Sequence, residues 1–132
     1  MPGLTKDMLI LLRAGGFSDD MLFYDHVPDT ADSPDTMVTL IQRAGIPPLR
    51  TQGTETIFRP VVEVISRAVD ISTAFTNAES AYEIFDRIYN EQITPSTRIL
   101  SCSPIGAPTA VGKDESRSRH LVVFDVAVMH SD

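Results

Sequence analysis

Tryptophan is missing from these 132 residues, and cysteine occurs once, at Cys102. The first absence excludes nothing, but a lone thiol excludes an internal disulfide and a multi-cysteine metal site. Cys102 sits in the alternating run Arg98 to Ser103, where a buried strand residue is expected. Positive charge is scarce as well: 11 Lys and Arg stand against 18 Asp and Glu, giving a net charge of −7 and a pI near 4.8. Surfaces that grip nucleic acid gain affinity by neutralising phosphates with clustered cations, so that class of function is excluded. No apolar stretch approaches the roughly 20 residues of a membrane span. The opening Met-Pro-Gly-Leu-Thr-Lys-Asp lacks the basic n-region of a signal peptide. The expectation is a chain made and kept in a cytosol, with no membrane partner.

Catalytic signatures are equally thin. There is no Gly-x-Ser-x-Gly, and His26, His120 and His130 have no diagnostic spacing to a nucleophile or to one another, His120 reading as a strand-edge residue. Gly106 to Asp114 superficially resembles a phosphate loop. However, five residues rather than four separate its glycines, Asp114 stands where a hydroxyl should meet magnesium, and Pro108 interrupts the backbone donors. Asp25, Asp29, Asp32 and Asp35 lack the alternate spacing and central glycine of a calcium loop. No cofactor and no metal follow from the pattern. Only folding could bring two carboxylates together at glycosidase distance.

What is present is ordinary globular material. Hydrophobic residues make up 42% and charged residues 22%, enough for one domain over 1–132 that buries about two-thirds of its unfolded surface. The organising stretch is Ile57 to Asn90. Ile57 to Arg67 is rich in β-branched residues and reads as a strand, with Val62 and Val64 on one face and Arg59, Val61, Glu63, Ile65 and Arg67 on the other. Beyond Asp70 the period lengthens to about 3.6 residues. Ala74, Ala78, Ala81, Tyr82, Phe85, Ile88 and Tyr89 form the apolar side of a helix capped by Ser72 or Thr73 and stopped by Pro95.

Thr5 can cap a first helix that carries Met8, Leu9, Leu11 and Leu12 and ends at Gly15-Gly16. Phe17 to Asp35 holds several aspartates with no Lys or Arg, and reads as a brief strand at Met21 to Tyr24 followed by an exposed acidic loop. Met37 to Arg43 is the next strand, closed by Gly45-Ile-Pro-Pro48. Arg98 to Ser103 and Arg119 to Met129 are strands, and Pro104 to Ser118 between them reads as a flexible arm. The fold class expected is α+β, with two helices on one face of a mainly antiparallel sheet of four to five strands. The last strand is apolar on both faces: His120, Val122, Phe124, Val126 and Val128 on one, Leu121, Val123, Asp125, Ala127 and Met129 on the other. A sheet covered on one side shows cleaner alternation, so a partner subunit is expected over the second face.

Arg59 to Arg67, the short acidic link and the small-residue helix Ala74 to Tyr89 resemble the central segment of the tail terminator or minor capsid proteins of long-tailed bacteriophages. Met37 to Pro48, with its Gly-x-Pro-Pro turn, and Gly112 to Arg117 before the last strand are similar to flanking pieces of that family. The likeness runs over most of Asp35 to Met129; the first helix and the acidic insert have no counterpart in it. It implies a structural virion protein without catalysis, a homo-oligomeric ring of six copies on the head-proximal end of the tail tube. Its partners would be the tube protein and a neck or head-completion protein, with DNA passing through the channel unbound. The interface would use Arg59, Val61, Glu63, Ile65 and Arg67, with Ile105, Val111, Lys113 and Asp114 of the arm. Two other classes stay open: a small α+β enzyme or ligand-binding domain with a pocket between helix and sheet, and a dimeric interaction module whose last strands pair across an edge. On the bland reading, Arg59, Glu63 and Arg67 are a solvated strand face.

Overall fold

A computed structural model describes residues 3–28, 33–50, 56–114 and 118–131. Helix α1 (Leu4–Ala14) and a 3₁₀ turn (Asp19–Met21) lead into β1 (Leu22–Tyr24) and β2 (Met37–Arg50). Then come β3 (Thr56–Ala68), α2 (Ile71–Asp86), β4 (Tyr89–Thr94), β5 (Thr97–Asp114) and β6 (Arg119–Ser131). The strands form one six-stranded sheet in the order β1-β2-β3-β6-β5-β4. All neighbours are antiparallel except β1 and β2. The α+β class is as expected, but the sheet is mixed, and larger than the four to five strands read from the sequence.

Alternation explains the core. Val62 and Val64 of β3, Val38 and Leu40 of β2, and Val122, Phe124, Val126 and Val128 of β6 point to the helix side and are buried. Against them α2 lays Ala74, Ala78, Ala81 and Phe85, its small residues letting the helix axis come close, while α1 adds Met8, Leu9, Leu11 and Leu12. Ser66, a buried polar member of this face, donates to the Ala74 carbonyl at 2.8 Å. Helix α1 ties both edges of the curled sheet. Thr5 Oγ1 donates to Asp25 Oδ1 just past β1 (2.7 Å), and Thr97 Oγ1 at the start of β5 donates to Asp7 Oδ2 (3.0 Å). The two helices meet at Gly15, where a Cβ would collide with Ile84.

Several local expectations change. Thr5 lies inside α1 instead of capping it, and the N-cap is Gly3 at φ 97°. Asp70 occupies the N-cap of α2, with Thr73 Oγ1 reaching its carboxylate at 3.3 Å. Helix α2 ends at Asp86, so Tyr89, placed on the helix by its spacing, is a β4 residue with 80% of its surface exposed. Strand β2 continues through Pro47 and Pro48 to Arg50, with register shifts after Arg43 and Ile46. Past Leu40 it has no neighbour on its outer side among the described residues, so a proline there removes no ladder bond to an outer strand. Gly45 is required in this bulged region because a Cβ would strike the Arg59 carbonyl of β3.

The expected arm over 104–118 is likewise strand as far as Asp114, paired with β6 through register shifts after Ile105 and Ala110; residues 115–117 lie outside the described set. Pro104 and Pro108 sit where β5 has lost β4 as a neighbour, the same edge allowance as in β2. Strand β6, expected at an edge in the dimeric alternative, is central, flanked by β3 and β5, and cannot pair across an edge. His120, for the same reason, lies between Ala68 and Lys113.

Candidate assembly interface

Directly paired residues share a face of a sheet, so the strand register maps the side opposite the helices as a series of rungs. The first runs Met37, Arg67, Leu121, Gly112; the second Thr39, Ile65, Val123, Thr109; the third Ile41, Glu63, Asp125, Ile105. The fourth is Arg43, Val61, Ala127, Ser103; at the last level Ile46 pairs with Arg59 and Met129 with Ser101. Five sequence-chosen interface residues, Arg59, Val61, Glu63, Ile65 and Arg67, therefore do stand in one column, and Ile105 joins it at the third rung. Val111, Lys113 and Asp114 do not. They lie at the far end of the β5–β6 hairpin, where Lys113 pairs with His120 and Asp114 with Arg119.

The β2 end of the first two rungs, Met37 and Thr39 with Arg67 beside them, is covered by the chain itself, while Thr109 and Gly112 at the β5 end stay exposed. The described ends of the β1–β2 connection, residues 25–28 and 33–36, bond to this face: Thr39 Oγ1 donates to the His26 carbonyl (2.7 Å), and Arg67 donates through Nη1 to the Pro28 carbonyl (2.6 Å) and through Nη2 to the Pro34 carbonyl (2.7 Å). Arg119 approaches Asp35 at 3.7 Å. Arg67 is 1% exposed and Arg119 fully buried. Arg67 is thus neither a solvated residue nor part of the open surface; the described aspartates of the expected acidic loop, Asp25 and Asp35, are exposed as read, while the Pro28 and Pro34 carbonyls fasten this end of the sheet and Asp29 and Asp32 lie outside the described residues.

Among the described residues nothing covers the lower rungs in this way. Ile46, Arg59, Val61, Ser101, Ser103, Ile105, Ala127 and Met129 line a groove of about 370 Å³, with Ile46 62% and Ile105 54% exposed. On the third rung Glu63 and Asp125 stand directly opposite each other, a destabilising arrangement for like charges. Arg43 relieves it by donating to Glu63 at 2.5 Å. That hydrogen bond, and then attraction to Glu63 and Asp125, raises the Arg43 pKa above its usual value. Arg59 turns back along its own hairpin to the Pro47 carbonyl, at 3.1 Å through Nε and 2.6 Å through Nη2. Arg43, Ile46, Ala127 and Met129 were not chosen from the sequence, although the doubly apolar last strand was the signal that pointed to the last two.

Chemically the surface offers adhesion. No group of three His, Cys, Asp or Glu able to hold a metal occurs among the described residues. Cys102 faces the helices, where burial, and then the nearby Glu91, push its thiol up to about 12, which removes it as a nucleophile at neutral pH.

No family model and no curated protein matches the chain. Among solved structures it is similar to a chain of the virion of a native gene transfer agent (GTA) particle, with a TM-score of 0.61 and 16% identity. The likeness covers 98% of this chain and 95% of that one. The two share a fold end to end, a two-helix, curled-sheet fold present in a virion particle.

Proposed function

We propose that this chain is a structural virion protein that closes a ring on the head-proximal end of a phage tail tube, ends tube polymerisation there and joins tail to neck. One observation carries the reading: the whole-length fold likeness to a chain of a virion particle. The far face of the sheet supplies the physical means. It leaves apolar side chains uncovered around Val61, Ile105, Ala127 and Met129, and groups of that kind gain from burial against a partner at about 25 cal/mol per Å².

The action is geometric. One surface of the ring copies the docking face of a tube subunit, and the opposite surface withholds the next docking site, so addition of tube protein stops. Six copies related by rotation close such a ring. The excess of carboxylates keeps the channel from holding DNA as it passes. Val111, Lys113 and Asp114, at the tip of the β5–β6 hairpin, meet the neighbouring ring or neck protein. No bond is made or broken by the side chains.

Electron microscopy of tails assembled with and without the protein tests this. Tubes of uncontrolled length in its absence, and a cap of density at one end in its presence, are expected. Tails of unchanged length and fully joined heads without it would refute the role.

A further inference from the structure

The uncovered groove lies at the base of the β2–β3 hairpin. The described part of that hairpin, residues 42–50 and 56–59, carries Arg43, Arg50 and Arg59 and no Asp or Glu. In a chain of net charge −7 this is a local reversal of sign. The opposite holds for α2, which contains Glu79, Glu83 and Asp86 and neither Lys nor Arg. These acids recur at i, i+4 and i+7, so they share one exposed stripe. Like charges at i and i+4 weaken a helix unless a cation is brought to them. Among the described residues, neither Arg50 nor any of these three acids makes an ion pair or side-chain hydrogen bond. Ser72, Thr76 and Ser80 on the same exposed side are small enough to let another surface approach the helix.

The edges of the sheet argue for contact through faces. Where β2 and β5 run without an outer neighbour among the described residues, Pro47, Pro48, Pro104 and Pro108 and the register shifts interrupt their donors, which blocks strand addition.

We propose that in the assembled state the groove and its arginine-bearing hairpin receive the outer surface of α2 of a second copy of this chain, arginines against the acidic stripe. The proposal rests on the ring reading and specifies its subunit contact. Because the groove and α2 lie on opposite sides of the sheet, one pair of copies cannot satisfy both surfaces. Each copy keeps a free groove or a free helix for the next, and such a heterologous contact closes only as a ring or runs on as a filament. Charge pairs of this kind set register and approach more than total affinity.

Sedimentation velocity on the full chain tests it. Association should be stronger at about 50 mM than at about 500 mM salt, since screening shortens from about 14 Å to about 4 Å over that range. Arg50→Glu and Glu83→Arg should each weaken association about tenfold without changing the circular dichroism spectrum, and a single chain carrying both should recover it. Association unmoved by salt and by both reversals would overturn this contact while leaving a ring built through another surface. Failure of the wild type to associate at low salt would also overturn it, and the ring reading would then be decided by the microscopy of tails.

Discussion

The two faces of the sheet are finished by different means. Toward the helices, Val62, Val64, Val126 and Phe85 reach zero exposure in a continuous apolar cluster. On the far side the upper rungs are fastened at their β2–β3 end, guanidinium to backbone carbonyl, and the lower rungs line an open groove. Close-packed apolar cores supply most of the favourable free energy of folding, so the helix side accounts for stability. The far side adds less to that stability, and on the proposed reading it serves contact with other copies. Its edges are guarded by prolines, its open groove is apolar, and its hairpin reverses the sign of the chain's charge.

The comparison can be broken first on the helix side. Phe85→Ala removes the largest buried side chain of α2, and a loss of about 3–5 kcal/mol is expected by urea denaturation. A loss under 1 kcal/mol would mean that the helix side is not the main core. Arg67→Ala attacks the polar fastening. It leaves the Pro28 and Pro34 carbonyls without their donors at a cost of about 1–3 kcal/mol. It should also raise hydrogen exchange at Thr39 and Met37 more than at Val64. Equal protection at all three would show that the crossing segment covers nothing.

Cys102 gives a chemical reading of the same difference. Its thiol is raised from 9.0 to about 12 in the folded chain, so both states hold the proton below pH 9. Between pH 9 and about 12 only the unfolded state releases it. Stability is therefore intact below pH 9 and lost as pH rises through that window. The wild type should lose up to about 1.4 kcal/mol per pH unit more than Cys102→Ala there. Thiol labelling at pH 8 should likewise be limited by opening of the fold. Parallel pH profiles for the two proteins would place the thiol in water.

How much of this was legible follows from how local each signal is. The faces of β3 and β6 could be read directly, because a strand's period of two is fixed by its own backbone, and the doubly apolar last strand already called for a second cover. Strand β4 could not be read, since Tyr89 continues the helical spacing of Phe85 and nothing in that spacing marks the end of α2 at Asp86. The length of β2 and β5 was hidden by proline, which ends a central strand but is harmless on an edge, and edge position depends on the whole sheet. Arg67 was the least legible residue. Its partner Pro28 lies 39 positions away, so the alternation that set its face could not say whether water or chain would meet it there. That Arg59, Val61, Glu63 and Ile65 share a face was read by the same alternation that missed its burial.

The smallest expected effect is the one that separates the two faces most sharply. Ile105→Thr keeps a β-branched side chain on an exposed site of β5, so the stability of the free chain should move by no more than about 0.5 kcal/mol. The same change lowers the apolar area offered by the groove, where Ile105 stands opposite Asp125 and beside Ala127. If the far face exists to be covered, the variant should fold like the wild type yet associate less tightly and cap tubes less completely. A variant that loses several kcal/mol as a single copy would show that Ile105 belongs to the fold's own packing, and one that assembles normally would show that the groove is not the surface partners use.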